Sequence, residues 1–385
     1  MSAGELRILH VITRLDRGGS ATNTLLTVAG LPHPFRATLV YGRTRELPPL
    51  AREVADRVAS LELPALVRSP SPLHDLRALL GLYRVIRHGA FDLVHTHTSK
   101  AGVLGRTAAR LARVRRIVHT PHGHYFHGGY AGPAMIRLFV HLERWAATFT
   151  DRIVALTDQE ARDHLRLGIG TPAQFVTIPS GVELAPYEKP PEPPAAVRAA
   201  LGLPPGAGLI GSVGRLEPVK GHRHLVDAFA RLAPRFPGLH LALVGDGPLL
   251  PELRARAERQ GVAARVRFLG WRDDTPALLH ALDLFVFPSL NEGMGRALVE
   301  AMAAGCPVVA SRAGGIPEVL AEGEAGVLVE PGDAGALARG IEGLLLDPAR
   351  RARLAEAGRQ RAQRYGLEVM RERIATLYRE LLERP

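Results

Sequence analysis

The chain has one cysteine, Cys306, in 385 residues, so it can form no internal disulfide and no cysteine-based zinc cluster. That usage fits a reducing compartment. No apolar run approaches the ~18 residues of a membrane-spanning helix, and the opening MSAGELRILHVI is too short in apolar residues for a secretory signal. A cytoplasmic protein is expected. Aromatic residues make up only 5% of the chain, they are not interleaved with basic ones, and no known nucleic-acid module is present, so nucleic acid is not an expected partner. Lysine occurs three times against 46 arginines. No D-x-D element offers to hold a divalent ion on a diphosphate, and the loop after the first strand is not a G-x-G-x-x-G dinucleotide fingerprint.

What is present is a long globular chain, 46% apolar and 23% charged, whose length calls for two hydrophobic cores. The net charge of +11 is uneven. Residues 1–185 carry 23 Lys and Arg against 14 Asp and Glu, and the remainder 26 against 24. Two readings stand: an anionic partner for the first half, such as a membrane surface or an anionic substrate, or a compositional bias toward arginine. The segment AGVLGRTAARLARVRR (101–116) places Arg106, Arg110 and Arg113 near one helical face, which would line an anionic acceptor, touch lipid headgroups or face water.

Short β-branched runs alternate with helical patterns. LRILHVI (6–12), ATLVYG (37–42), DLVHTH (92–97), RIVHT (116–120) and RIVALT (152–157) read as buried strands, with helices over 73–88 and 101–114. A second series follows residue 208: GLIGSVGR, LHLALVGDG, VRFLGW, LFVFPS, PVVAS and AGVLVE. This is the pattern of two parallel, doubly wound sheets in tandem. The proline-rich stretch 185–208 between them reads as a linker or surface loop. In such sheets ligands gather beyond the carboxyl ends of strands, where helix N-termini present free N–H groups.

The residues there carry chemistry. After the first strand, Gly18 and Gly19 allow a tight turn and a close approach to a ligand. VGRLEPVKGH (213–222) sets Arg215 five residues before Lys220, so a turn could aim both at one anionic group. LVGDGP (243–248) adds a glycine turn at Gly245. In NEGMGRALVEAMAAG (291–305), Gly293 and Gly295 bare backbone amides where a helix begins near Arg296, and its positive end favours an anion by about 0.3–1 kcal/mol. Two carboxylates, Glu292 and Glu300, would repel that anion, so they are better suited to accept from hydroxyls. A ligand with phosphate in its middle and hydroxyls at both ends satisfies all these groups, and a sugar nucleotide is such a ligand. The histidines His95, His97, His119, His122, His124 and His127 crowd two strand ends without a carboxylate or cysteine pattern, so a metal site is not expected.

Taken together, these motifs resemble the retaining GT-B glycosyltransferases of the glycosyltransferase 4 family, group 1 type, and within it the capsule and O-antigen polysaccharide transferases. The resemblance runs through HVITRLDRGG, VHTHTSKAGVLGR, TPHGHYF, IPSGV, VGRLEPVKG, LVGDGP, FLGW, PSLNEGMGRALVEAMAAGCPVVAS and GGIPEV. It implies an α/β fold of two Rossmann-like domains with parallel sheets facing across a cleft. Residues 1–182 would bind acceptor, with helix 367–385 packing back on them, and 183–366 would bind donor. Arg215 and Lys220 would neutralise the donor diphosphate, helped by amides of Gly293, Met294 and Gly295. Glu300 would hold the ribose, Glu292 the transferred sugar, His122 would lie near the anomeric carbon, and Gly18 and Gly19 would face donor or acceptor. Residues around Phe268 to Trp271 would border the base.

The implied reaction is metal-independent transfer, without a cofactor, from a nucleoside diphosphate sugar, with UDP-sugars favoured, to a glycan or lipid-linked glycan. The implied place is the cytoplasm, extending to peripheral contact with the inner face of an anionic membrane. Two departures stand out: Thr22 replaces the glutamate many relatives carry three residues after the paired glycines, and Met294 replaces a common aromatic. The alternatives are a sugar-nucleotide 2-epimerase on the same fold, against which the Glu292–Glu300 spacing argues, and a catalytically silent nucleotide-sugar-binding subunit.

Overall fold

The computed structural model describes residues 5–44, 46–123 and 132–383. They form two compact units, one comprising the chain up to Gly181 and again from Leu367 onward, the other running from Val182 to Gly366.

The first unit holds seven strands: β1 (Leu6–Ile12), β2 (Phe35–Gly42), β3 (Ala59–Leu63), β4 (Leu93–His97), β5 (Arg116–Thr120), β6 (Arg152–Ala155) and β7 (Phe175–Thr177). They lie in the order β3-β2-β1-β4-β5-β6-β7, and every pairing is parallel. The central strands are buried on both faces because helices cover both. β3 and β7, absent from the sequence reading, are the two edges; exposure on an edge lets them carry Ser60, Glu62 and Thr177 in place of an apolar run. The helix Leu367–Glu383 buries Met370, Ile374, Tyr378 and Leu381 against Ile8, Leu93 and Val118.

The second unit contains β8 (Gly208–Val213), β9 (Leu239–Val244), β10 (Val266–Gly270), β11 (Leu284–Phe287), β12 (Val308–Ser311) and β13 (Val327–Val329) in the order β10-β9-β8-β11-β12-β13, again parallel throughout. Ile210, Phe229, Leu241, Val286 and Ile341 form its core. The proline-rich stretch is no linker. It lies inside this unit and forms two helices, Ala185–Glu188 and Pro194–Ala200, each with proline in its first turn, where the missing N–H costs nothing. Val197 and Leu203 anchor it in apolar clusters.

Strand order reverses between β1 and β4, and again between β8 and β11. These are the switch points where the loops leaving adjacent strands diverge and leave room for a ligand.

Candidate active site

In the second unit the loops after β8 and β11 flank the switch point and are tied together: the Leu290 amide donates to the Val219 carbonyl at 2.8 Å. That tie brings Lys220 to Glu292, and the two form an ion pair with Ser289 Oγ 3.4 Å from the same carboxylate oxygen. The Lys220 ammonium also lies 5.9 Å from the centre of the Phe287 ring. Arg215 Nη2 holds Glu217 at 2.8 Å. Each of the two expected phosphate cations thus carries a carboxylate partner and remains partly exposed.

The Glu292 carbonyl accepts from the Gly315 amide at 3.0 Å, which fixes the loop just before the helix Arg296–Ala303. Gly295 caps that helix at φ 86°, and a Cβ there would sit 2.8 Å from the Phe287 ring, so only glycine fits. Gly293 and Gly295 are buried, and the Met294 side chain is turned into the core, so what this stretch offers a ligand is backbone. Glu300, one helix turn inside, is half-buried and bonded to the Tyr187 hydroxyl. Desolvation raises its carboxyl above the ordinary value, while the Arg296 charge and the Tyr187 bond oppose that rise. Burial and Glu300 together push the Tyr187 hydroxyl upward as well. Tyr187 escaped the sequence reading because it sits in the proline-rich segment; a lone tyrosine in a run of small residues was the available signal.

Gly245 follows β9 at φ 131°, where a Cβ would overlap the Gly214 carbonyl oxygen. Its amide donates to the Gly270 carbonyl at 2.7 Å, next to exposed Trp271. The geometry gives Gly245 a loop-shaping role beside the predicted base-bordering residue.

In the first unit Gly18 corrects the expectation of a tight turn. Its backbone is extended at φ 162°, nothing lies within 4 Å of where a Cβ would be, and Gly19 simply begins the helix Gly19–Ala29. What glycine leaves at position 18 is open space. Asn23, on that helix, is buried, and its Oδ1 has no partner among the described residues. His122 follows β5 at φ 61°, and the next amide, Gly123, donates to Glu160 Oε1 at 2.7 Å while the Leu156 amide donates to Oε2 at 2.6 Å. A fully buried carboxylate therefore fixes the loop that presents His122. His124 and His127 lie outside the described residues.

The other histidines divide by strand alternation. His95 and His97 on β4 join His10 on β1, which the sequence reading passed over, and the three offer ring nitrogens within 4.8 Å of one another. His119 turns to the opposite face, where it bonds Thr96 Oγ1 at 2.9 Å. The nitrogens of His10, His95 and His97 are all engaged in hydrogen bonds with neighbouring side chains, so an ion there would have to displace those bonds.

The basic segment also departs from expectation. Arg106 is fully buried and bonds Glu143 Oε2 at 2.6 Å, so it does not share an exposed face with Arg110 and Arg113. Those two, with Arg115, line a concavity of about 640 Å³ near the amino ends of β5 and β6. That edge is opposite the strands' carboxyl ends, which removes the segment from an acceptor site there.

Residues 18–181 match the family described as "Glycosyl transferase 4-like domain" and residues 195–361 match "Glycosyl transferases group 1". The Escherichia coli UDP-Gal:alpha-D-GlcNAc-diphosphoundecaprenol alpha-1,3-galactosyltransferase is 32% identical over 292 residues, 75% of each chain. A D-inositol 3-phosphate glycosyltransferase of Corynebacterium urealyticum is also 32% identical, over 78% of this chain and 74% of its own. Among solved structures, Anabaena HepE in complex with UDP-glucose superposes with a TM-score of 0.83 at 27% identity, covering 97% of this chain and 100% of its own.

Proposed function

The chain belongs to the group 1 glycosyltransferases, of the glycosyltransferase 4 type and the two-domain α/β GT-B fold, and we propose that it transfers a sugar, with retention, from a UDP-sugar to a glycan or lipid-linked glycan in cell-surface polysaccharide synthesis. The observation that carries this reading is the Lys220–Glu292 pair beside the N-terminus of the helix Arg296–Ala303, because it sets a cation, a hydroxyl acceptor and the positive end of a helix side by side. An ammonium has three donors, so Lys220 can hold Glu292 and a phosphate oxygen together. Arg215 adds a planar, multiply donating cation on the adjacent loop. Glu292 accepts from hydroxyls of the transferred sugar, and Glu300, oriented by Tyr187, accepts from the ribose.

As the anomeric C–O bond breaks, negative charge grows on the diphosphate. Arg215, Lys220 and the amides of 293–295 are already in place to stabilise it, which is how the reaction proceeds without a metal ion. The acceptor oxygen attacks the same face, and its proton passes to the departing phosphate, as the family resemblance implies. The family resemblance implies a role for His122 at the reacting sugar, and Asn23 stands beside its ring. Choice of UDP is supported by the HepE complex, and choice of a lipid-linked acceptor by the name of the E. coli relative. Exposed Leu111 beside Arg110, and exposed Trp145 packed on Phe149 of the concavity that Arg110 and Arg113 line, suit peripheral contact with an anionic membrane.

Thermal-shift binding against UDP, GDP, ADP and their sugar conjugates tests the donor. A shift with UDP that survives EDTA is expected, and no shift with any nucleoside diphosphate would reject the reading. Tyr187→Phe is expected to raise the donor KM about tenfold, the scale of one hydrogen bond to a charged group, with kcat nearly unchanged. An equal fall in kcat at constant KM would mean that Glu300 acts on the reacting carbon instead.

A further inference from the structure

At the carboxyl ends of β1, β4 and β5, four histidines and a tyrosine form one unbranched chain of hydrogen bonds. It starts at Asn23, whose Nδ2 is 3.5 Å from His122 Nδ1. His122 Nε2 meets His97 Nδ1 at 2.9 Å, and His97 Nε2 meets His10 Nδ1 at 3.0 Å. His10 Nε2 lies 3.5 Å from the Tyr378 hydroxyl, which meets His95 Nδ1 at 2.6 Å. His95 Nε2 ends the chain on Thr120 Oγ1 at 2.7 Å. Burial pushes His10 and His122 down to about 3 and His95 and His97 well below their ordinary value, so all four rings are neutral near pH 7.

A neutral imidazole has one N–H donor and one bare nitrogen, and a phenol hydroxyl donates once while accepting from another group. Both atoms of every ring are engaged, so the polarity of any one bond sets all the others. With the Asn23 amide donating to His122 Nδ1, each ring must be the Nε2–H tautomer, and the Tyr378 hydroxyl donates to His95. With Asn23 reversed, each ring must be Nδ1–H. A mixture among His122, His97 and His10 sets two donors or two bare nitrogens against each other, and a break at Tyr378, with His10 and His95 both donating to its oxygen, strands the buried phenol O–H; either leaves a buried polar atom unsatisfied.

We infer that this chain fixes the tautomer of His122 from within the core, making His97, His10 and Tyr378 positioning residues for the ring assigned to the transferred sugar. The same polarity decides what Asn23 shows a ligand: in the Nε2–H state one of its two N–H donors is spent on His122 and the unpartnered Oδ1 is left to accept from a sugar hydroxyl. The inference rests on the assignment of His122 above, yet the tautomer pattern can be read without donor or acceptor.

Full-length protein with ¹⁵N-labelled histidine, observed by long-range ¹H–¹⁵N correlation, tests it. His10, His95, His97 and His122 are expected to share the Nε2–H form. Tyr378→Phe keeps the ring edge against Phe35, at 5.7 Å between centroids, and deletes only the hydroxyl. His10 Nε2–H then lacks an acceptor, so His10, His97 and His122 are expected to switch to Nδ1–H while His95 does not. In the same variant kcat should fall by at least about tenfold with the donor KM unchanged, the pattern of a mispositioned imidazole. Mixed tautomers in the wild type, a charged ring, an unaltered His122 in the variant, or one equivalent of zinc retained through purification would overturn the inference. Failure of the donor-binding panel with the shared tautomer intact would instead reject the transferase site and leave the chain standing.

Discussion

Lys220→Ala is expected to lower kcat by about 10²–10³-fold, the range for removing one preorganised group from a developing anion. Two effects act in the same direction. The diphosphate loses a cation, and Glu292, only 15% exposed, is left with Ser289 as its remaining side-chain partner and repels the leaving group. Lys220 ends a short surface turn, Pro218–Lys220, so the fold should persist and the melting temperature should move little. Lys220→Arg should recover only part of the activity, because a planar guanidinium cannot hold the carboxylate and the phosphate with the geometry of a compact ammonium. Adding Glu292→Gln to Lys220→Ala separates the two effects: donor binding should recover relative to the single variant while kcat stays low. Steady-state kinetics with nucleotide thermal shifts measures both quantities, and near-normal turnover in Lys220→Ala would remove Lys220 from the site.

The second sheet was readable in the sequence because strands buried on both faces are short, largely apolar runs, and the loops after β8 and β11 begin where those runs stop. The edge strands β3 and β7 carry no such run. The local dictionary of motifs found Lys220 and Glu292 individually, but their pairing depends on Leu290 bonding Val219, a contact between loops on different strands that spacing does not encode. Tyr187 was hidden by its prolines, which read as loop and in fact open two helices. The histidines show what alternation alone can deliver. β4 and β5 pair Thr96 with His119 and His97 with Thr120, so period two already separates His95 and His97 from His119. His10 was lost inside LRILHVI, where a single imidazole in a buried strand was the signal of a partner across the sheet. That partner, Tyr378, comes from the last helix, over 360 residues away in sequence at |i−j| = 368, and no local pattern connects them.

Arg106→Ala is expected to destabilise the first unit by about 3–5 kcal/mol, because it strands a buried carboxylate. The Arg106 side chain is completely buried: Nη2 bonds Glu143 at 2.6 Å, Nε donates to the Gly102 carbonyl at 2.9 Å and Nη1 reaches Thr150 Oγ1 at 3.5 Å. Among the described residues Glu143 has no comparable second partner, since His119 Nε2 stands 3.9 Å away and burial keeps that ring neutral. At ~2–4 °C per kcal/mol for a unit of this size, the melting temperature should fall by roughly 10 °C. The cost belongs to the unpaired charge and not to a net gain from the pair, so Arg106→Met with Glu143→Leu should recover most of the loss. Calorimetry on Arg106→Met, Glu143→Leu and their combination closes the cycle. If the double variant is no more stable than Arg106→Ala, the bonds to Gly102 and Thr150 hold the helix Ser99–Leu111 in place, and the ion pair is secondary. Nucleotide binding offers the control: the second unit carries the proposed donor residues, so the UDP-induced shift should survive in all three variants below their melting temperatures.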